Sequence, residues 1–276
     1  MFGLRNDSRI LKQYAQGRRD FQRSKLRNAR LEGATLREAN LEASDLIEAN
    51  LSQADLEKAI LDRAELRGAN LESTRLIEAS LKAVTLERAN LRKANLTSAI
   101  LVDADLRYAQ MEGAVLSHAD LQGADLTNAN LTSAVLTGAI LKGIDLTHIE
   151  IKDIKLAGAN LTGAILRGLN LRGIDLSESL LMVADLEATI LSGAQLTEAN
   201  LKGANLGKAN LVDSVLTHAN LSGANLKMSN LTGAQLMGAD LSNTSLGQAL
   251  LRGACYDGAT RFEEGFNPHQ VGMERV

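Results

Sequence analysis

The chain has one cysteine, no tryptophan and only 3% aromatic residues among its 276, and each scarcity excludes something. A single thiol, Cys255, rules out an internal disulfide and a cysteine-rich metal site. With so few large rings, a composition that is 45% hydrophobic must build its core from uniform aliphatic layers. The net charge of −3 carries neither the basic excess of a nucleic-acid binder nor the strong acidity of a nucleic-acid mimic. The opening MFGLRNDSRILKQY lacks the long apolar stretch of a signal peptide, and no later segment approaches the length of a membrane span. A cytoplasmic protein that does not enter membranes is expected.

What the chain has instead is a period. From Leu26 to Leu251 every fifth residue is leucine except Met111 and Ile151, and Phe21 and Tyr256 extend the run at its ends. Neither a helix, with a period of 3.6, nor an ordinary strand, with a period of 2, repeats every five residues. Two residues before each leucine the side chain is usually small, as at Ala29, Ala34, Ala39, Ala49 and Ala54, and the two residues after it are polar or glycine. That pattern describes a very short strand bent at each repeat, with one large and one small side chain pointing into a narrow tube.

A second modulation has a period of twenty. Acids precede the leucine at Asp45, Glu65, Asp105, Asp125, Asp145 and Asp185. Asparagines share an adjacent phase at Asn50, Asn70, Asn90, Asn130, Asn170, Asn210 and Asn230, and apolar residues share a third at Ile60, Ile100, Ile140 and Leu180. Twenty residues per coil means four repeats and a square cross-section.

The motifs ANLEA, ADLEK, ANLTS, ADLTN and ANLSG resemble the pentapeptide repeat family over about 235 of the 276 residues. The resemblance implies an all-β solenoid: a right-handed quadrilateral β-helix of about twelve coils, on the order of 55 to 60 Å long at the usual strand spacing. It also implies a binding or regulatory protein without catalysis. The stretch LKQYAQGRRDFQ is similar to the N-terminal helix of family members common in cyanobacteria.

Open coil ends need covering. The expected organisation is a helical cap over 1–20, the β-helix over 21–258 and a C-terminal capping tail over 259–276. Within the first cap the helix is expected over 7–16, with Asp7 or Ser8 as N-cap and Gly17 as the stop, and Asn267-Pro268 suggests a final helical turn. The second residue after the leucine is rarely glycine before Gly113. Type II turns, which need a positive φ there, are therefore expected mainly from Gly113 to Gly173, and type I or irregular turns at Glu48, Lys58, Arg63, Glu78 and Arg88. Ile144, Ile149, Ile154, Leu169 and Ile174 replace the small inward residue. Overpacking of this kind ordinarily costs about 1–3 kcal/mol per site, so the tube must widen there. A compensated repacking and a bulge marking a binding site both remain open.

No catalytic, cofactor or metal residues are assigned. His118 and His218 share a face but lie about 24 Å apart at strand spacing, too far to share a metal, and His148 and His269 have no evident ligand partners. Serine and threonine are abundant without a convergent His and acid, and the glycines recur at turns. Three surfaces are candidates for recognition. The first is apolar: Ile60, Ile100, Val102, Ile140, Leu180, Met182 and Val183 on one face, near Val115 and Val135 on the next. The second is the acidic column of Asp45, Glu65, Asp105, Asp125, Asp145 and Asp185, whose like charges need compensation from arginines such as Arg67, Arg88 and Arg107. The third is a basic patch of Arg18, Arg19, Arg23, Lys25, Arg27 and Arg30. The function expected is a non-enzymatic scaffold that presents flat faces to a protein partner and acts as a monomer. The competing class is a DNA mimic that binds a type II topoisomerase, as members of the Qnr type are understood to do. A rod of this length would need on the order of thirty negative charges to imitate duplex DNA, against a net −3. A nucleic-acid partner is not expected.

Overall fold

The computed structural model describes residues 6–276 and divides the chain into two compact units, Met1–Ile140 with His148–Ile154 and Leu141–Thr147 with Lys155–Val276. Each unit is built as a right-handed β-helix. In the first, parallel bridges join residues twenty apart from Asp20↔Asn40 to Asn130↔Glu150. In the second they run from Asp145↔Ile165 to Gln235↔Cys255, and the next bridge, Asp240↔Arg261, spans twenty-one because one residue is inserted. A coil is therefore four repeats. Each side of a coil contributes a single bridged residue, so two-residue strands occur among the described residues only at β1 (Cys255–Tyr256) and β2 (Glu274–Arg275), which pair in parallel.

One repeat explains why this closure is stable. In Leu46–Asn50 the amides of Leu46 and Glu48 donate to Glu65 O (2.8 Å) and Arg67 O (3.0 Å) of the following coil. The Asn50 amide donates to Ala29 O of the preceding coil (2.9 Å), and Ala49 N closes the turn onto Leu46 O (3.0 Å). The one amide left, Ile47, donates to the side-chain Oδ1 of Asp45 at 3.2 Å. No backbone donor is wasted, as a buried layer requires. Inside, the leucines and alanines are almost wholly buried, and each leucine contributes about 1.5–3 kcal/mol relative to an exposed one. Serine or threonine sometimes takes the small inward position and remains satisfied: Ser179 Oγ donates to Leu176 O (2.7 Å), and Thr74 Oγ1 to Leu51 O of the preceding coil (2.8 Å).

The turns overturn the expectation that their type changes with glycine. Glu48, Lys58, Arg63, Glu78 and Arg88 all adopt φ between 55° and 58°, which a type I turn forbids. The second residue after the leucine has positive φ at every repeat from Arg23 to Gly253 except at His148. The ladder fixes this conformation, because the amide of that same residue must reach the next coil.

The bulky inward residues leave a measurable trace. The turn-closing bond, 3.0 Å at Ala49, lengthens to 3.3 Å at Ile144 and to 3.2 Å at Leu169 and Ile174. Ile149 and Leu169 stay half-exposed, whereas Ile144, Ile154 and Ile174 are buried.

Helix α1 spans Asn6–Ala15, so Asp7 and Ser8 lie inside its first turn and not ahead of it. The Asp7 carboxylate accepts from Ser8 N (2.7 Å) and, from outside the helix, Arg30 N (3.2 Å). Gly17, at φ 93°, ends the helix in a Schellman arrangement, with Gly17 N on Tyr14 O (2.9 Å) and Arg18 N on Gln13 O (3.1 Å). At the other end a 3₁₀ turn, Pro268–Val271, has Asn267 as N-cap, its side chain accepting from His269 N (3.1 Å). Three of the seven phenylalanine and tyrosine rings gather here. Tyr256 meets Phe262 edge-on at 5.5 Å, Phe262 stacks on Phe266 at 5.1 Å, and Tyr256 Oη lies 3.2 Å from His269 Nε2.

Candidate functional site

The apolar residues expected to form a stripe do not line up contiguously. Ser80 bridges Ile60 and Ile100, and Asp120 bridges Ile100 and Ile140, so polar side chains alternate with the isoleucines. Ile60 and Leu180 are exposed, whereas Ile100, Val102, Val115, Val135 and Ile140 are half-buried. Only Val115 and Val135 are direct bridge partners. In the second unit the expected Val183 is more fully exposed, as is Met228, which lay outside the expected stripe, both at left-handed turn positions.

The acidic column has a local cause. Asp45, Asp105, Asp125, Asp145 and Asp185 each accept, through Oδ1, the amide two residues on, at 2.8 to 3.2 Å. This is the role Asn50, Asn70, Asn90 and Asn130 play on the neighbouring side. Asp and Asn are chosen there because their side chains close such turns. Arginines then compensate the charge. Arg27 pairs with Asp45 (3.2 Å), Arg107 holds Asp105 (2.7 Å) and approaches Asp125 (3.8 Å), and Arg167 pairs with Asp185 (2.6 Å). The Arg107 hydrogen bond holds the Asp105 carboxyl below the usual carboxylate range; for Asp185, partial burial pushes upward but the bond from Arg167 and the other donors outweigh it. Glu65 makes no ion pair among the described residues.

The basic patch differs in kind. Downstream in the first unit, from Arg37 to Arg107, every arginine faces a carboxylate: Arg37 and Arg75 straddle Asp55 and Glu57, Arg63 meets Glu42, Arg67 and Arg88 meet Glu87, Arg92 meets Glu112, and Arg107 meets Asp105. At the N-terminal end Arg9, Arg18, Arg19, Arg23 and Arg30 make no such pair among the described residues, and all are exposed. Of the six expected basic residues, Arg27 is ion-paired with Asp45. Two guanidinium groups are fixed by neutral groups. Arg18 Nε donates to Asp20 O (2.6 Å) and its guanidinium lies 5.3 Å from the Phe21 ring; Arg19 donates to Tyr14 O (3.0 Å) and stacks 3.9 Å over the Tyr14 ring.

Two clefts open among these residues. One, of about 270 Å³, is lined by Arg9, Gln13, Arg18, Ser24 and Lys25 over an apolar floor of Ile10, Phe21 and Leu26. The other, of about 350 Å³, is lined by Asp7, Lys25, Arg27, Asn28 and Arg30. Arg9 and Gln13 were absent from the sequence-derived patch, although their spacing of four on a helix places them on one face. Nothing in this arrangement is a nucleophile poised by a base. Among the described residues no three His, Cys, Asp or Glu side chains converge as a metal site, and no helix is long and apolar enough to cross a membrane.

Family models agree with the repeat. The model for pentapeptide repeats matches residues 109–147, 152–181, 180–217 and 214–253, and that for a pentapeptide repeat region matches 19–96. Among solved structures the chain is similar to HetL, a pentapeptide repeat protein involved in heterocyst differentiation regulation from the cyanobacterium Nostoc sp. strain PCC 7120. The two are 33% identical, with 90% of this chain and 95% of that one covered and a TM-score of 0.52. A second Nostoc pentapeptide repeat protein, alr5209, is 30% identical over 43% of this chain and 81% of its own, with a TM-score of 0.28. QnrB1, a plasmid-mediated fluoroquinolone resistance protein, is 14% identical over 91% of this chain and 93% of its own, with a TM-score of 0.22. No curated protein sequence matches the chain.

Proposed function

Because the chain belongs to the pentapeptide repeat family, we propose that it is a non-enzymatic regulatory scaffold of the cytoplasm that binds another protein as a monomer. The observation that carries this reading is the likeness to HetL, a regulatory protein, along nearly the full length of both chains. The repeat itself supports it. With backbone donors consumed by the ladder and the leucines and alanines sealed inside, the outward side chains are left to carry recognition. Mimicry of DNA finds less support: the column that would imitate phosphates is tied into turn closure and paired with Arg27, Arg107 and Arg167.

The test is affinity capture from soluble lysate, with and without nuclease, followed by mass spectrometry. A protein recovered in near-equal amount after nuclease treatment supports the scaffold. Topoisomerase subunits in the capture, together with inhibition of gyrase supercoiling that disappears when Asp105, Asp125 and Asp145 become Asn, would replace it with mimicry.

A further inference from the structure

We infer that the N-terminal end of the first unit, where α1 meets residues 18–30, binds a carboxylate-rich segment of the partner protein; this rests on the scaffold reading and adds the site and the chemistry of its occupant. The first ground is the contrast between arginines. A chain that gives every arginine from Arg37 to Arg107 a carboxylate leaves Arg9, Arg18, Arg19, Arg23 and Arg30 without one among the described residues, all within a short stretch of sequence and around two clefts that share Lys25. Like charges gathered in this way repel one another in the free protein, and an anionic partner removes that cost.

The second ground is the type of cation. Guanidinium forks match carboxylates two bonds at a time, which a lysine ammonium does not. Arg18 and Arg19 are already held by the carbonyls of Asp20 and Tyr14, so less side-chain freedom is lost when a partner docks. The side-chain amide of Gln13 adds a neutral donor in the first cleft.

The third ground separates protein from nucleic acid. Recognition of single strands needs open aromatic faces on which bases stack. The two rings here are not open: Phe21 is 3% exposed, and the Tyr14 ring is covered by Arg19 while its hydroxyl donates to Arg37 O (3.0 Å).

The experiment uses the full chain and a fluorescein-labelled polyglutamate peptide, read by anisotropy at low and physiological salt, with duplex DNA of matched charge as competitor. Arg9→Glu/Arg30→Glu reverses one charge in each cleft without removing a side-chain hydrogen bond seen in the structure. It should weaken peptide binding about tenfold or more with an unchanged melting temperature. Arg172→Glu, an exposed arginine of the second unit, should leave binding as it was. Arg9→Lys/Arg30→Lys should lose an intermediate amount, because it keeps charge but not the fork. Absence of peptide binding at low salt, equal loss in the Arg172 variant, or tighter binding of the duplex than of the peptide would each overturn the assignment. The two readings fail separately: a partner captured from lysate equally well by wild type and Arg9→Glu/Arg30→Glu preserves the scaffold and removes this site.

Discussion

Before Gly113 the left-handed corner of each repeat is mostly filled by residues such as Glu48, Lys58 and Arg63; across 138–173 glycine takes most of these corners. The torsions barely differ: 55° to 58° at those three residues and 65° to 70° at Gly143, Gly168 and Gly173. The difference in sequence therefore reflects what surrounds the corner, not its geometry. A non-glycine residue in this region costs about 1–2 kcal/mol, and the ladder bond from its own amide holds it there regardless. At some of these corners glycine coincides with a further demand, whereas at others, such as Gly163 and Gly193, a Cβ would meet nothing within 4 Å. Glycine immediately precedes Ile144, Leu169 and Ile174, where the turn is stretched. It also lies beneath His118 and His218, where a Cβ on Gly138 or Gly238 would fall 2.5 and 2.2 Å from Nδ1 of the histidine above.

The largest test of this contrast is Ala49→Ile, which puts a bulky corner into a tight turn that has no glycine before it. A loss of about 2–3 kcal/mol is expected, read as a drop in melting temperature of roughly 2–4 °C per kcal/mol. Gly238→Ala should cost about 2 kcal/mol, combining left-handed strain with displacement of the His218 ring. Gly143→Ala, with nothing within 4 Å of the new Cβ, should cost only the strain, about 1 kcal/mol; equal losses at the two glycines would mean that the histidine contact is immaterial. Val183→Gly reverses the sign, since a β-branched residue at φ 50° and 65% exposure is strained with no burial to offset it, and a gain of about 0.5 kcal/mol is expected.

The smallest effect is in the tail. Asp257 accepts from the amide of Gly238 (2.9 Å), from the Thr260 hydroxyl (2.9 Å) and from the amides of Ala259 and Thr260, and these donors, the Gly238 amide foremost, hold its carboxyl below the usual range. A lowered pKa in the folded state stabilises above the ordinary carboxylate value, near 3.9, and that stabilisation disappears as pH falls through the folded value. Wild type should therefore melt above Asp257→Asn at neutral pH, with the gap closing in acid. A gap independent of pH would show that charge plays no part.

Much of the architecture was legible because it is written in spacing. Leucine every five residues and column phases of twenty predict the bridges directly, and Asn267-Pro268 and Gly17 mark the ends of short helical segments through well-understood local chemistry. The uniform turn was not legible, because Glu48, Lys58 and Arg63 have no preference for positive φ; only the hydrogen bond to the next coil imposes it. The acidic column was visible, but its reason was not, since the amide it closes on is identified only once the other four donors of a repeat are accounted for. The basic end could be read as a cluster, but it was not legible which of its arginines lack a carboxylate among the described residues, because ion pairs between coils join residues about twenty apart whose rotamers the sequence does not reveal. The one-residue insertion before Arg261 gave no signal, since the periodic leucine has already stopped there.

The twenty-residue bridge has a consequence for how such a chain folds. Each bridge closes a loop of about one coil, so the entropy of closure is nearly the same at every step and never grows with distance along the sequence. Contacts remain local on the scale of the chain, and a formed coil offers a complete template to whichever neighbour comes next. Assembly can then begin at more than one place and advance a coil at a time, and force applied to the ends of either unit should peel the coils away in the same increments.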